Sequence, residues 1–236
     1  MSLLKRVEGV FFSPRPTFEG LAARPSWIDT LVLVLVALIA FNFVILPYIQ
    51  KDQVALWKDN ATSLKERYGE DRYAQMVERT EHPSKAGQII QIFVAAPLFV
   101  LAALLLQSLI LLILGRLLST QGTYVQALAA LVHASLIDKL LGNAVRLTLA
   151  VTRQSVMQTS TSLALLFPRL EVTSTPYILL TQVDFFQLWM FGVLAFGLAA
   201  VFKIPAKKAF LLSYGLWVLK ALVNIGIGVI GMSFLR

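Results

Sequence analysis

Residues 88–114 run for 27 positions without a charged side chain. Nothing constrains this chain more, because a bilayer core about 30 Å thick is crossed by about 20 apolar helical residues. Four further apolar segments accompany it, giving candidate spans at about 30–48, 88–114, 124–150, 185–202 and 210–234. Composition agrees. Of 236 residues, 57% are hydrophobic and 14% charged, against roughly 25% charged in an ordinary soluble domain. So little charge leaves too little polar surface to cover a water-soluble globule. An open strand edge cannot be satisfied in lipid, and no ten-residue alternation points to a barrel. The expected fold class is all-α: a polytopic membrane protein with five transmembrane helices, an amphipathic N-terminal helix and a helical connection over 51–87.

Residues 1–29 form an amphipathic interfacial segment ahead of the transmembrane domain at 30–236. Leu3, Leu4, Val7, Val10 and Phe11 recur at helical spacing, predicting a helix in the headgroup region with its apolar stripe toward acyl chains. Ser13-Pro14-Arg15-Pro16 ends it, and Thr17 opens a second short helix. Residues 51–87 carry seven basic and seven acidic residues, with Trp57, Leu64, Tyr68, Tyr73 and Met76 at roughly helical intervals. That pattern predicts a helical hairpin or lid on the membrane surface. Residues 152–183 are rich in Ser, Thr and Gln.

Basic residues are denser on the side holding the N-terminus, and the short Lys203-Ile-Pro-Ala-Lys-Lys208 turn is the clearest case. The positive-inside rule then sets the N-terminus in the cytoplasm and the C-terminus outside. The formal charge of +8 points to anionic lipid headgroups rather than nucleic acid, since no basic stripe is interleaved with aromatics.

The third segment is apolar for only fourteen residues, Tyr124 to Ile137, about 21 Å of helix. Asp138 and Lys139 follow, with Asn143 and Arg146 beyond. Either one long helix carries these groups inside the membrane, or the helix breaks near Asp138 and continues along the interface. On a continuous helix Ser135, Lys139, Asn143, Arg146 and Arg153 share one arc, with Asp138 at its edge. The fifth segment places Ser213, Trp217, Lys220 and Asn224 on one face. An intramembrane charge costs about 2.5–3.5 kcal/mol on insertion scales, so these groups should face one another or water. Asp138 is expected to pair with Lys220 or Arg146. The cluster Asp138, Lys139, Asn143, Arg146, Lys220 and Asn224 is either an interhelical adhesive or a polar cavity for a headgroup, an ion or a partner helix.

No HExxH, GxSxG, GxGxxG or phosphate loop occurs, and cysteine is absent. No enzymatic activity, metal or cofactor is expected. His133 reads as a packed or hydrogen-bonded histidine and His82 as a solvated one. Asp184 stands directly before the fourth span as a helix cap or interface anchor. Trp57, Tyr68, Tyr73, Asp184 and Trp189 are the candidates for contact with a partner.

Several segments, in order, resemble the Yip-one domain family, the Ypt/Rab-interacting group of five-span membrane proteins, in its bacterial branch. They are Ser13-Pro14-Arg15-Pro16-Thr17-Phe18, Gly122-Thr123-Tyr124-Val125-Gln126-Ala127-Leu128, Thr159 to Leu166, Asp184-Phe185-Phe186-Gln187-Leu188-Trp189 through Gly197-Leu198-Ala199, Lys207-Lys208-Ala209 and Trp217. Ile137-Asp138-Lys139 departs from a proline common in the family. The resemblance implies a five-helix bundle with a cytoplasmic N-terminus. Eukaryotic relatives bind Rab-type GTPases, and some bacterial ones look like accessory subunits of transport systems. The resulting expectation is a non-enzymatic adaptor or accessory subunit of an envelope or transport assembly in the bacterial inner membrane, with a membrane-protein partner or a second copy of itself. The alternative is a small transporter or channel with a polar pathway along the third and fifth spans.

Overall fold

The computed structural model describes residues 1–157 and 161–233, with side chains to 231. Thr159 and Ser160 of the family-like segment, and the end of the fifth span at 234, lie outside the described residues.

Five helices are long and apolar enough to cross a membrane: Ile28–Asp59, Lys85–Arg116, Tyr124–Arg153, Phe185–Phe202 and Ala206–Gly231. Two short helices precede them, α1 (Leu3–Phe12) and α2 (Pro14–Ala23), followed by α3 (Ile28–Asp59). Next come α4 (Ala61–Tyr68) and α5 (Glu70–Glu81). The second span is α6 (Lys85–Ile90), a π-turn at Gln91–Ala95, and α7 (Ala96–Arg116), with Pro97 in the first turn of α7. A proline has no amide to donate to the preceding helical turn, and the π-turn just before Pro97 is where this continuous span departs from the regular α-helical ladder. The third span is α8 (Tyr124–Ala134), a π-turn at Ile137–Gly142, and α9 (Asn143–Arg153). A short α10 (Thr175–Thr181) leads to α11 (Phe185–Phe202) and α12 (Ala206–Ser233).

The helix α8 runs through the centre of the bundle. Every residue from Ala127 to Asp138 is buried, whereas the first, second and fifth spans bury only 17%, 22% and 17% of their apolar windows, as suits lipid contact. Small residues let the backbones approach at this centre. A Cβ at Gly197 would stand 2.9 Å from Ala130 and from the Phe18 ring. Phe191, Leu194, Leu198 and Phe202 of α11 are fully buried against the same core.

The N-terminal helices depart from their expected position. Their apolar stripe faces the protein: Val10, Phe18 and Leu21 are buried, and α2 packs on α11 and α8. Leu4 and Phe12 remain exposed. Arg6 is buried and forms an ion pair with Asp29 at the head of α3, a contact that fixes α1 to the bundle. The amphipathic pattern revealed a one-sided helix, and protein rather than lipid covers that side.

The turn into α8 shows the physical content of the Gly122–Leu128 segment. Gly122 has φ +87° and stands against the Phe202 ring, so a side chain there would be both strained and crowded. Thr123 and Gln126 form a reciprocal capping box, and Gln126 Nε2 donates to the Ala22 carbonyl at 2.7 Å. One turn therefore starts the third span and holds the end of α2.

Beyond the expected first span, α3 remains helical to Asp59, and α5 packs along it. Asp52, within the 51–87 connection, is 8% exposed. Its carboxylate accepts from Ser155 Oγ at 2.9 Å, Val156 N at 2.6 Å and Met157 N at 3.0 Å. The loop following α9 is thereby tied to the extension of α3.

Candidate functional site: an intramembrane charge network

The helix of the third span does not end at Asp138. It continues through the Ile137–Gly142 π-turn into α9 in helical conformation, as the continuous-helix reading requires. A π-turn inserts one residue into the helix and rotates the following face. Here it brings Asp138, Asn143 and Arg146 onto a common centre. Gly142 lies in the turn, and a Cβ there would come within 3.0 Å of Phe186 and 3.1 Å of Arg146 Nη1. The absent side chain lets the guanidinium and the Phe186 ring close over it, Cζ standing 5.8 Å from the ring centroid.

Arg146 is the hub. Its Nη2 donates to Asp138 Oδ1 at 2.8 Å and to Asp184 Oδ1 at 2.9 Å. Nη1 donates to Asn143 Oδ1 at 3.1 Å, and Nε to Thr161 Oγ1 at 3.1 Å. The side chain of Asp138 is 3% exposed, and its other oxygen lies 3.0 Å from Lys139 Nζ. Two carboxylates and two cations thus balance within one cluster. Desolvating a charge is tolerable only when a partner and further hydrogen bonds replace the lost water. Arg146 and Asp184 have both, Asp138 has two cations, and Lys139 keeps part of its side chain exposed.

Asp184 serves two elements at once. It caps α11 by accepting from Phe186 N at 2.9 Å and Gln187 N at 3.1 Å. Oδ2 accepts from Thr161 Oγ1 at 2.5 Å, and Ser162 pairs with Asp184 in an isolated antiparallel bridge. Its place among the partner-contact candidates is therefore corrected: at 5% exposure it is buried in the charge network. A charge count could have revealed this. Lys139 and Arg146 outnumber Asp138, and Asp184 starts the next span on the same side of the membrane. Thr161 gave no comparable signal.

Lys220 and Asn224 form a neighbouring strip instead of joining Asp138. Lys220 Nζ donates to Gln187 Oε1 at 2.7 Å, and Asn224 Nδ2 to Gln182 Oε1 at 3.2 Å. Of the two partners expected for Asp138, Arg146 is the one it has.

The remaining candidates are dispersed. Trp57 is half-buried near the C-terminal end of α3. Tyr68 and Tyr73 are half-buried in the α4–α5 hairpin, where Arg72 lies 5.9 Å from the Tyr68 ring and Lys65 lies 5.4 Å from that of Tyr73. Trp189 meets Phe11 edge-on at 6.1 Å. His133 is buried, bonded through Nε2 to Thr30 Oγ1 at 2.9 Å and through Nδ1 to the Ala129 carbonyl at 2.8 Å. Outside the spans, burial raises the phenol of Tyr177 above its usual range, and its hydroxyl donates to the Met157 carbonyl at 2.7 Å.

Five apolar helices around a buried, self-neutralising charge cluster define an integral membrane protein of the polytopic α-helical class. The family model for the Yip1 domain matches residues 9–228, nearly the whole chain, and the chain belongs to that family. No curated protein and no solved structure gives a significant match.

Proposed function

We propose that this protein acts through partners and lipids, as a non-enzymatic adaptor or accessory subunit of an envelope or transport assembly. The reading places it in a bacterial cytoplasmic membrane, within the bacterial branch of the family, with the N-terminus inside and the C-terminus outside. One observation carries it: Arg146 spends Nε and both terminal nitrogens on Asp138, Asn143, Thr161 and Asp184. The intramembrane charges then act as an adhesive between the third span, the fourth span and the outer loop. A transport pathway would need these groups free to exchange partners. The α4–α5 hairpin, with Trp57, Tyr68 and Tyr73, is the surface offered to a membrane-protein partner or a second copy, and the basic turns meet anionic headgroups.

Co-purification in mild detergent tests this. Proteins recovered with the intact chain should be lost with a Trp57→Ala/Tyr68→Ala/Tyr73→Ala variant that folds and inserts normally. Solute or ion flux in liposomes that disappears with Lys139→Leu would instead establish the transporter reading. Because cysteine is absent, single cysteines at Lys207 and Arg72 report orientation directly: an impermeant maleimide added outside should label the second position only.

A further inference from the structure

One face of α11 lines two adjoining depressions. Phe185, Leu188, Trp189, Gly192, Val193 and Phe196 form the floor of an apolar groove. Phe196, Ala199, Ala200 and Lys203 continue the same face into a polar cleft. The groove is walled by Phe11 and Pro14 on one side and by Phe210 and Tyr214 on the other. Tyr214 turns its hydroxyl onto the Leu188 carbonyl at 3.1 Å, so it offers the groove a ring and no free polar group. Gly192 keeps the floor open, since a Cβ there would meet only the Tyr214 hydroxyl, at 3.2 Å.

The cleft is cationic. Arg15, Glu19 and Lys203 line it, with Arg15 Nε 3.2 Å from Glu19. Exposed Lys207 and Lys208 stand on the adjoining first turn of α12. Four cations therefore face one carboxylate, and among the described residues no carboxylate lies within ion-pair distance of the three lysines. Lys203 takes a left-handed conformation, φ +51°, where glycine is usual at a helix end. From Lys203 to Gly192 the slot extends eleven residues, about 16 Å of helix, close to one leaflet's half of a hydrocarbon core about 30 Å thick.

We propose that this slot binds one anionic phospholipid, with its phosphate at Lys203 and Arg15 and an acyl chain along α11 over Gly192. The proposal narrows the general contact with anionic lipids named above to a defined site. It does not depend on the adaptor role, which co-purification reads separately.

Trp189 in the groove supplies the reporter. In full-length protein carrying Trp27→Phe, Trp57→Phe and Trp217→Phe, Trp189 is the sole tryptophan. Its fluorescence is measured in phosphatidylcholine vesicles doped with either phosphatidylglycerol or phosphatidylcholine brominated along the acyl chain. Brominated phosphatidylglycerol should quench at a lower mole fraction, and neutralising Arg15 and Lys203 to Gln should erase the difference, about fivefold for each cation removed. Gly192→Leu should remove the preferential quenching while leaving the helical circular dichroism unchanged. Millimolar glycerol 3-phosphate, a headgroup without a chain, should displace nothing. Equal quenching by the two lipids, a preference that survives Arg15→Gln/Lys203→Gln, or displacement by glycerol 3-phosphate would overturn the proposal. The charge variant decides the matter even if Gly192→Leu does not fold.

Discussion

Arg146 and Asp184 stand 38 positions apart in sequence and meet at 2.9 Å. One belongs to the C-terminal half of the third span, and the other caps the first turn of the fourth. The contact joins two spans and, through Thr161, the loop between them. It also supplies the second carboxylate that balances Lys139 and Arg146 around Asp138.

Asp52 should hold the loop after α9 much as an N-cap holds a helix, since its carboxylate accepts two backbone amides and a hydroxyl. Asp52→Ala removes the acceptor that these three half-buried donors share, at a cost of about 1–3 kcal/mol. Hydrogen exchange should accelerate at Val156 and Met157 while the amides of α8 stay protected.

Gly115 and Gly215 should behave oppositely. A Cβ at Gly115 would press into the fully buried Phe202 ring, whereas one at Gly215 meets nothing within 4 Å. Gly115→Ala should destabilise by about 1–3 kcal/mol through overpacking. Gly215→Ala should be neutral or stabilising by up to about 1 kcal/mol. Thermal unfolding in one detergent compares the two.

Much of this architecture was legible because lipid simplifies the problem. Uncharged runs of bilayer length have one stable outcome, so five spanning helices followed directly from residues such as 88–114. That Asp138 should pair with a cation, Lys220 or Arg146, followed from the cost of leaving such a charge in hydrocarbon, and nothing in the spacing chose between the two. Contacts across long sequence separations were less accessible. An amphipathic stripe on α1 is equally satisfied by acyl chains or by α8 and α11, so the burial of Arg6 against Asp29 left no trace in the periodicity. Asp52 sits among alternating charges of the 51–87 connection, where nothing marks the one carboxylate that faces inward.

Lys220→Met should be neutral or should raise stability. The lysine is bonded to Gln187 alone among the contacts that place it, and a cation at this depth carries an insertion cost of about 2.5–3.5 kcal/mol that methionine removes. Unfolding in lipid nanodiscs measures it, and a loss as large as that from removing Arg146 would make Lys220 part of the core network.

The α4–α5 hairpin should loosen in acid. Its exposed Lys65–Glu70 pair, 2.8 Å apart, holds the Glu70 carboxyl below its ordinary value of 4.5. A lowered carboxyl favours the folded state once ionised. The contribution is therefore complete above the ordinary value and is lost as pH falls through the lowered one. A carboxyl-carbon NMR titration should place the Glu70 midpoint below 4.5 and return it there in Lys65→Met.

The account rests on the charges of the third and fourth spans cancelling one another inside the protein, and a double-mutant comparison in lipid nanodiscs tests that most directly. Arg146→Met alone leaves Asp184 without a cation and Asp138 with Lys139 only, and should cost about 3–5 kcal/mol. Adding Asp184→Asn to the same chain should recover most of that loss, because Asp138 still pairs with Lys139 and no buried carboxylate is then left without a cation. Losses that simply add, or an Arg146→Met protein as stable as the parent, would contradict it.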